Sequence, residues 1–165
     1  VKEKSPEIAG VIAEKVGVGS VRYAFLSTSP RKPIEFRWEV VLNLRQNSGT
    51  FLQYTYVRAY SILEKAPDVE RASVPEQMLE EEKELLVKIA EWPSVVREAV
   101  RALRPDYVAE YLDGLALLFN SYYEKAPVLK AVEGVRKFRI ALVNAVKTVL
   151  EAGFYILGIP TLTKM

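Results

Sequence analysis

Apolar residues recur at helical spacing along most of the chain, and prolines and glycines cut the recurrence into segments of helical length. Ser5-Pro6 reads as a cap with proline at the first helical position, and Gly17 as the stop, which predicts a short helix over 6–16. Gly19-Ser20 opens Val21 to Ser27, whose β-branched and aromatic content suits a strand or a buried helix equally. Pro30 and Pro33 bracket a turn carrying Arg31 and Lys32, and Ile34-Glu35-Phe36 then alternates like one short strand. Arg37 to Arg45 returns to helical spacing, with Trp38, Val41 and Leu42 on one side.

The stretch after Asn47-Ser48-Gly49 organises the rest. Thr50 followed by Gln53 reads as a capping box, which starts a helix at Phe51. At about 100° per residue, Leu52, Tyr56, Ala59, Leu63 and Ala66 share an apolar side that faces a core. Phe51, Tyr54, Arg58, Ser61 and Lys65 share a second side, within an arc of roughly 80°. Rings that stack on bases, interleaved with cations that meet phosphate, are what a single-stranded nucleic-acid platform needs. The same spacing is equally that of a buried aromatic stripe beside solvated cations.

Pro67 closes this helix, and from there to the end the chain reads as helices only. Pro75 begins a second, running to Trp92 with Met78, Leu79, Leu85, Leu86 and Ile89 inward; Pro93 breaks it, and Ser94 to Leu103 form a third. A fourth over Asp106 to Lys125 aligns Tyr111, Leu115, Leu118 and Tyr122, with Asn120 and Tyr123 at its far end. The fifth, Glu133 to Leu157, turns Ile140, Val143, Ala145, Val146 and Leu150 inward and ends at Gly158 followed by Pro160. Arg136, Lys137 and Lys147 fall on its surface side. Short, proline-marked connections predict an all-α antiparallel bundle over 49–165, preceded by a small, mostly helical segment over 1–48 with one short strand.

Composition narrows the chemistry. The chain has no cysteine and no histidine, which excludes disulfides, thiolate and imidazole metal sites, histidine general bases and thiol nucleophiles. Glu110 and Asp113 are three apart like an acid/base pair, but no nucleophile accompanies them and they read as surface carboxylates. The net charge of +2 hides an uneven distribution: residues 1–48 carry eight basic and five acidic groups, residues 67–104 six basic and nine acidic. An RNA-facing side therefore lies outside 67–104, where Glu80-Glu81-Glu82-Lys83-Glu84 reads as a solvated helix start. No uninterrupted apolar stretch approaches ~18 residues, so no membrane span is expected. Val1 and the lack of a secretory layout suggest a cytoplasmic chain cut from something longer.

Four segments then carry a resemblance that periodicity does not supply. Phe51-Leu52-Gln53-Tyr54-Thr55-Tyr56-Val57-Arg58, Asn120-Ser121-Tyr122-Tyr123, Arg139-Ile140-Ala141-Leu142-Val143 and Gly153 to Pro160 through Met165 resemble, in order and spacing, the helical anticodon-binding domain of the arginyl-tRNA synthetases. That family has an aromatic-x-Gln-Tyr-Ala-x-x-Arg opening, an Asn-x-x-Tyr helix end, an Arg-Leu-x-Leu-x-x-Ala helix and a Leu-Leu-Gly-Ile ending before a final methionine. The likeness covers 49–165. Residues 1–48, with Gly17-Val18-Gly19-Ser20-Val21-Arg22-Tyr23, resemble the stem-contact piece that joins the catalytic half to this domain, which favours helix for Val21 to Ser27. Thr55 stands where the family more often has alanine, and the Asp-Ala-Leu-Arg signature appears as Glu133-Gly134-Val135-Arg136.

The resemblance implies an anticodon-loop reader for arginine tRNA, specific for the central cytosine and serving ATP-dependent attachment of arginine. Carried over by position, Phe51 and Tyr54 become stacking or edge-contacting rings, Arg58 a phosphate or base-edge donor, Tyr123 a second platform and Met165 a terminal carboxylate. The nucleotide-binding His-x-Gly-His signature and a Lys-Met-Ser-Lys-Ser-like loop are missing. The expectation is therefore a monomeric part with no cofactor of its own, ATP and arginine binding the rest of the synthetase chain. Two alternatives compete: a helical protein-interaction module docking through 67–104, and the ending of a related class I synthetase such as a cysteinyl enzyme.

Overall fold

The computed structural model describes residues 6–66 and 72–165, in six helices: α1 (Pro6–Leu26), α2 (Trp38–Val41), α3 (Gly49–Leu63), α4 (Glu80–Ala102), α5 (Pro105–Lys125) and α6 (Glu133–Leu157). Ser5 and Pro67, read as a cap and a helix end, lie outside the described residues. Helix α3 packs along α6, α4 along α5, and α5 and α6 against each other, so α3 to α6 form the bundle and α1 lies across α3. The core is filled by Leu52, Ala59, Leu85, Leu112, Leu115, Phe119, Tyr122, Val143, Val146, Leu150 and Phe154, each essentially inaccessible. Helix α6 is long and apolar enough to cross a membrane, but its inward face is that core, as expected of the central helix of a bundle.

Helix α1 runs through Gly17 and Gly19 instead of stopping. Glycine is needed where α1 meets α3: a Cβ on Gly19 would stand 2.6 Å from the Gln53 side chain, and one on Gly49 would overlap the Gly19 carbonyl. At that crossing the Ser20 and Thr50 hydroxyls are 2.7 Å apart. Thr50 is thus engaged across the interface, and the capping box expected from Thr50 and Gln53 does not form. Ser48 is the cap, its hydroxyl accepting the Phe51 N–H at 3.0 Å. Asn47 before it has a φ of 50° and gives its N–H to Asp113 at 2.6 Å. Asp113 therefore fixes the entry to α3, and burial raises its carboxyl pKa against the lowering effect of that bond.

Three further expectations are corrected. Among the described residues there is no strand: Ile34-Glu35-Phe36 has no partner to pair with, and Phe36 sets its ring edge-on to Trp38 at 5.0 Å. The helix expected over Arg37 to Arg45 is the single turn α2, of which only Val41 is buried while Trp38 and Leu42 are exposed. Pro93 does not divide α4. Proline leaves the Ile89 carbonyl without its helical N–H; in the same turn the Tyr111 hydroxyl donates to the Lys88 carbonyl at 2.6 Å and the Trp92 ring packs on Tyr111 at 5.3 Å. Contact along α5 carries the helix past the break.

The expected helices over 106–125 and 133–157 appear within a residue of those bounds, because their ends are chemically marked. Pro105 opens α5, and Gly158 closes α6 at a φ of 66°, a conformation that glycine adopts without the Cβ penalty.

Candidate nucleic-acid interface

The exposed side of α3 begins one turn later than its periodicity suggests. Gly49 to Gln53 are all buried, since this first turn enters between α1 and the core, and Phe51 is 4% exposed within the core. Phe51 is therefore a packing residue, not a ring offered to a ligand. Tyr54, at 40% exposure, is the first side chain of that face to reach solvent.

From Tyr54 on, α3 and the end of α5 build a cation between two rings. The Arg58 guanidinium lies 4.9 Å from the Tyr54 ring centre and 4.6 Å from that of Tyr123, within cation–π range of both. It donates to the Tyr54 hydroxyl at 2.9 Å and to the Asn120 side-chain oxygen. Asn120 in turn donates to Thr55 Oγ1 and to the Ala116 carbonyl, both at 2.8 Å. Thr55, buried, donates to the Phe51 carbonyl at 2.9 Å. Thr55 thus gives Asn120 an acceptor, and Asn120 aims Arg58. Among the described residues no carboxylate pairs with Arg58, so its charge is held in place but not neutralised. Tyr123 is 41% exposed, with Tyr122 beside it fully buried.

Gln53 does a different job. It is inaccessible, and its amide donates to the Lys15 carbonyl at 3.1 Å and the Pro160 carbonyl at 2.8 Å. Lys15 donates to the Thr161 carbonyl at 3.3 Å, Arg22 donates to the Gly158 carbonyl, and Ile159 and Leu162 are buried. The tail is consequently docked on α1 and α3, beginning beside the residue that precedes Tyr54. Met165 at its end is exposed, and no hydrogen bond among the described residues joins it to the Tyr54, Arg58 and Tyr123 group.

Three cations of α6 are committed elsewhere. Lys137 pairs with Glu133 at 3.1 Å and Lys147 with Glu151 at 2.9 Å. Arg139 is buried, its Nε 2.7 Å from Glu82 and its Nη1 donating to the Pro127 carbonyl at 3.0 Å. Glu82, expected in solvent, is 1% exposed and also accepts the Leu79 N–H at 2.8 Å. The spacing of Glu82 in an acidic run hid this; the one sequence signal was an arginine followed by four apolar residues. Acidic side chains of α4 are partly neutralised within the chain, Glu80 by Lys83 and Glu81 by Lys125.

Known proteins resemble this chain over most of its length. The family model described as the DALR anticodon binding domain matches residues 52–165. The chain is 83% identical over its whole length to the arginine-tRNA ligase of Pyrobaculum aerophilum and 80% identical to that of Pyrobaculum islandicum, spanning 26% of each. Among solved structures, Thermus thermophilus arginyl-tRNA synthetase superposes with a TM-score of 0.85 at 33% identity, over 93% of this chain and 27% of that one. The chain thus spans about a quarter of the length of the relatives it matches.

Proposed function

From the premise that this chain belongs to the DALR anticodon-binding domain family, we propose that it is the part of an arginine-tRNA ligase that holds the anticodon loop of arginine tRNA. The observation that carries the reading is the Arg58 cation, flanked by the half-exposed rings of Tyr54 and Tyr123 and without a carboxylate partner among the described residues. Rings and guanidinium together suit unstacked bases and the phosphates between them. Each stacked base contributes about 1–3 kcal/mol.

Arginine codons share guanine at the second position, so the anticodons share a central cytosine, and one reader of that base serves every isoacceptor. The exocyclic amine of cytosine is a donor and uracil presents an acceptor in its place. A carboxylate facing that edge separates the two, because the wrong base leaves a desolvated acceptor without a donor. An acceptor of the tail at Met165 is assigned this role, and the docking of Pro160 and Thr161 on Gln53 and Lys15 supports it by holding the tail in place. ATP and arginine bind the remainder of the ligase, a cytoplasmic monomer, and this chain supplies tRNA selection.

Fluorescence titration of the chain with arginine tRNA and with a transcript altered at the middle anticodon base tests the reading. Tighter binding of the natural tRNA is expected, with the difference lost in Tyr54→Ala, and affinity falling as salt rises. Equal binding of the two tRNAs overturns it.

A further inference from the structure

Beside the two-ring site, a groove of about 470 Å³ runs between the second half of α3 and the connection from α5 to α6. Its size lies in the range of roughly 300–1,000 Å³ typical of small-ligand sites. Arg58 and Tyr123 form one end, shared with the two-ring site. The floor is apolar, made by Ile62, Val128 and the half-buried Leu129, and the rim carries Lys65 and Lys130, both exposed. Glu124 is the one carboxylate in the lining, against three cations. The far wall is fixed, because the buried Arg139 holds the Pro127 carbonyl.

We propose that this groove takes the RNA nucleotide adjacent to the one stacked on Tyr123, its base over Leu129 and its phosphates between Lys65 and Lys130. An apolar floor offers a surface to any base and no pattern of edge donors or acceptors, so the subsite is sequence-tolerant. Lysines at the rim act as mobile point charges, which suits phosphate oxygens better than a directed base contact. Continuity is the second argument: a strand leaving Tyr123 along the cation-lined side meets Lys65 two helical turns beyond Arg58, on the same exposed side of α3. A protein partner would have to bring carboxylates opposite both lysines beside its apolar segment, whereas RNA carries a phosphate next to every base and so matches both the floor and the rim. This inference rests on the anticodon reading, and it adds Lys65, Leu129 and Lys130 to the contact surface.

The test is titration of the chain with an anticodon-arm hairpin of arginine tRNA across a range of salt, comparing wild type with the Lys65→Ala, Lys130→Ala double variant. Loss of two single-strand phosphate contacts lowers the slope of log affinity against log salt by about 1.4, at roughly 0.7 per contact. Affinity at ~0.1 M salt is expected to fall at least tenfold, with preference for the central cytosine unchanged, and the Lys65→Arg, Lys130→Arg double variant is expected to keep the wild-type slope. Both lysines are exposed, so unchanged circular dichroism accompanies these effects. A double-alanine variant with wild-type affinity and slope, while wild type still prefers the central cytosine, overturns the groove alone. A wild-type chain without that preference overturns the anticodon reading and the groove with it.

Discussion

Two arginines each tie a pair of helices together, and they do so by opposite means. Arg139 joins α6 to α4 from within, its charge matched by Glu82 and one further donor taken by the Pro127 carbonyl. Arg58 joins α3 to α5 at the surface, through an amide oxygen and two rings, with no carboxylate paired to it among the described residues. Breaking a buried pair leaves an uncompensated charge in the interior, whereas a ring-flanked cation at the surface keeps most of its field for an incoming anion. That difference in partner, not residue type, makes Arg139 a residue of the fold and leaves Arg58 to the proposed RNA contact.

The contrast is broken most severely at Glu82. Glu82→Ala is expected to cost about 3–5 kcal/mol of stability, because Arg139 is left buried and unpaired. Chemical denaturation reads this directly, and replacing both residues by apolar ones of similar volume is expected to restore most of it. At the other arginine the expectation reverses. Tyr123→Ala lowers affinity for arginine tRNA by about 1–3 kcal/mol while changing the denaturation midpoint little, since the ring is half exposed. Arg58→Lys keeps the charge but loses the planar fork that bonds Asn120 and Tyr54 together; a roughly tenfold weaker affinity with near wild-type stability is expected in the same titration. Ser48→Ala costs about 1 kcal/mol of stability by removing the cap of α3, without altering base preference. Phe51→Leu leaves a small cavity and costs on the order of 1 kcal/mol in stability, with no effect on base preference, and a change of base preference there would return Phe51 to the binding surface.

Helix ends were legible where one residue type has one use. Pro105 and Gly158 mark the ends of α5 and α6 by backbone chemistry, and the bounds agree with them. Gly19 looked like punctuation yet stands where helix α1 touches Gln53, a packing demand that only the folded partner reveals. Pro93 shows the same asymmetry, since the contact with α5 that sustains α4 is remote in sequence. At the candidate site, Tyr54, Arg58 and Tyr123 were readable from motif and face, and they do come together. Phe51 was misplaced because periodicity assigns a side of a helix but not how deep each turn sits. Lys130 lies in a connection, where no period exists to point at it.

The most direct measurement is on the tyrosine rings themselves. With nine tyrosines in the chain, ring resonances of selectively labelled protein are followed by NMR while an arginine anticodon-arm hairpin is added. Shifts concentrated at Tyr54 and Tyr123, with the buried Tyr23, Tyr111 and Tyr122 unmoved, are expected if bases stack beside the Arg58 cation. Saturating RNA that leaves the Tyr54 and Tyr123 resonances where they were would contradict it.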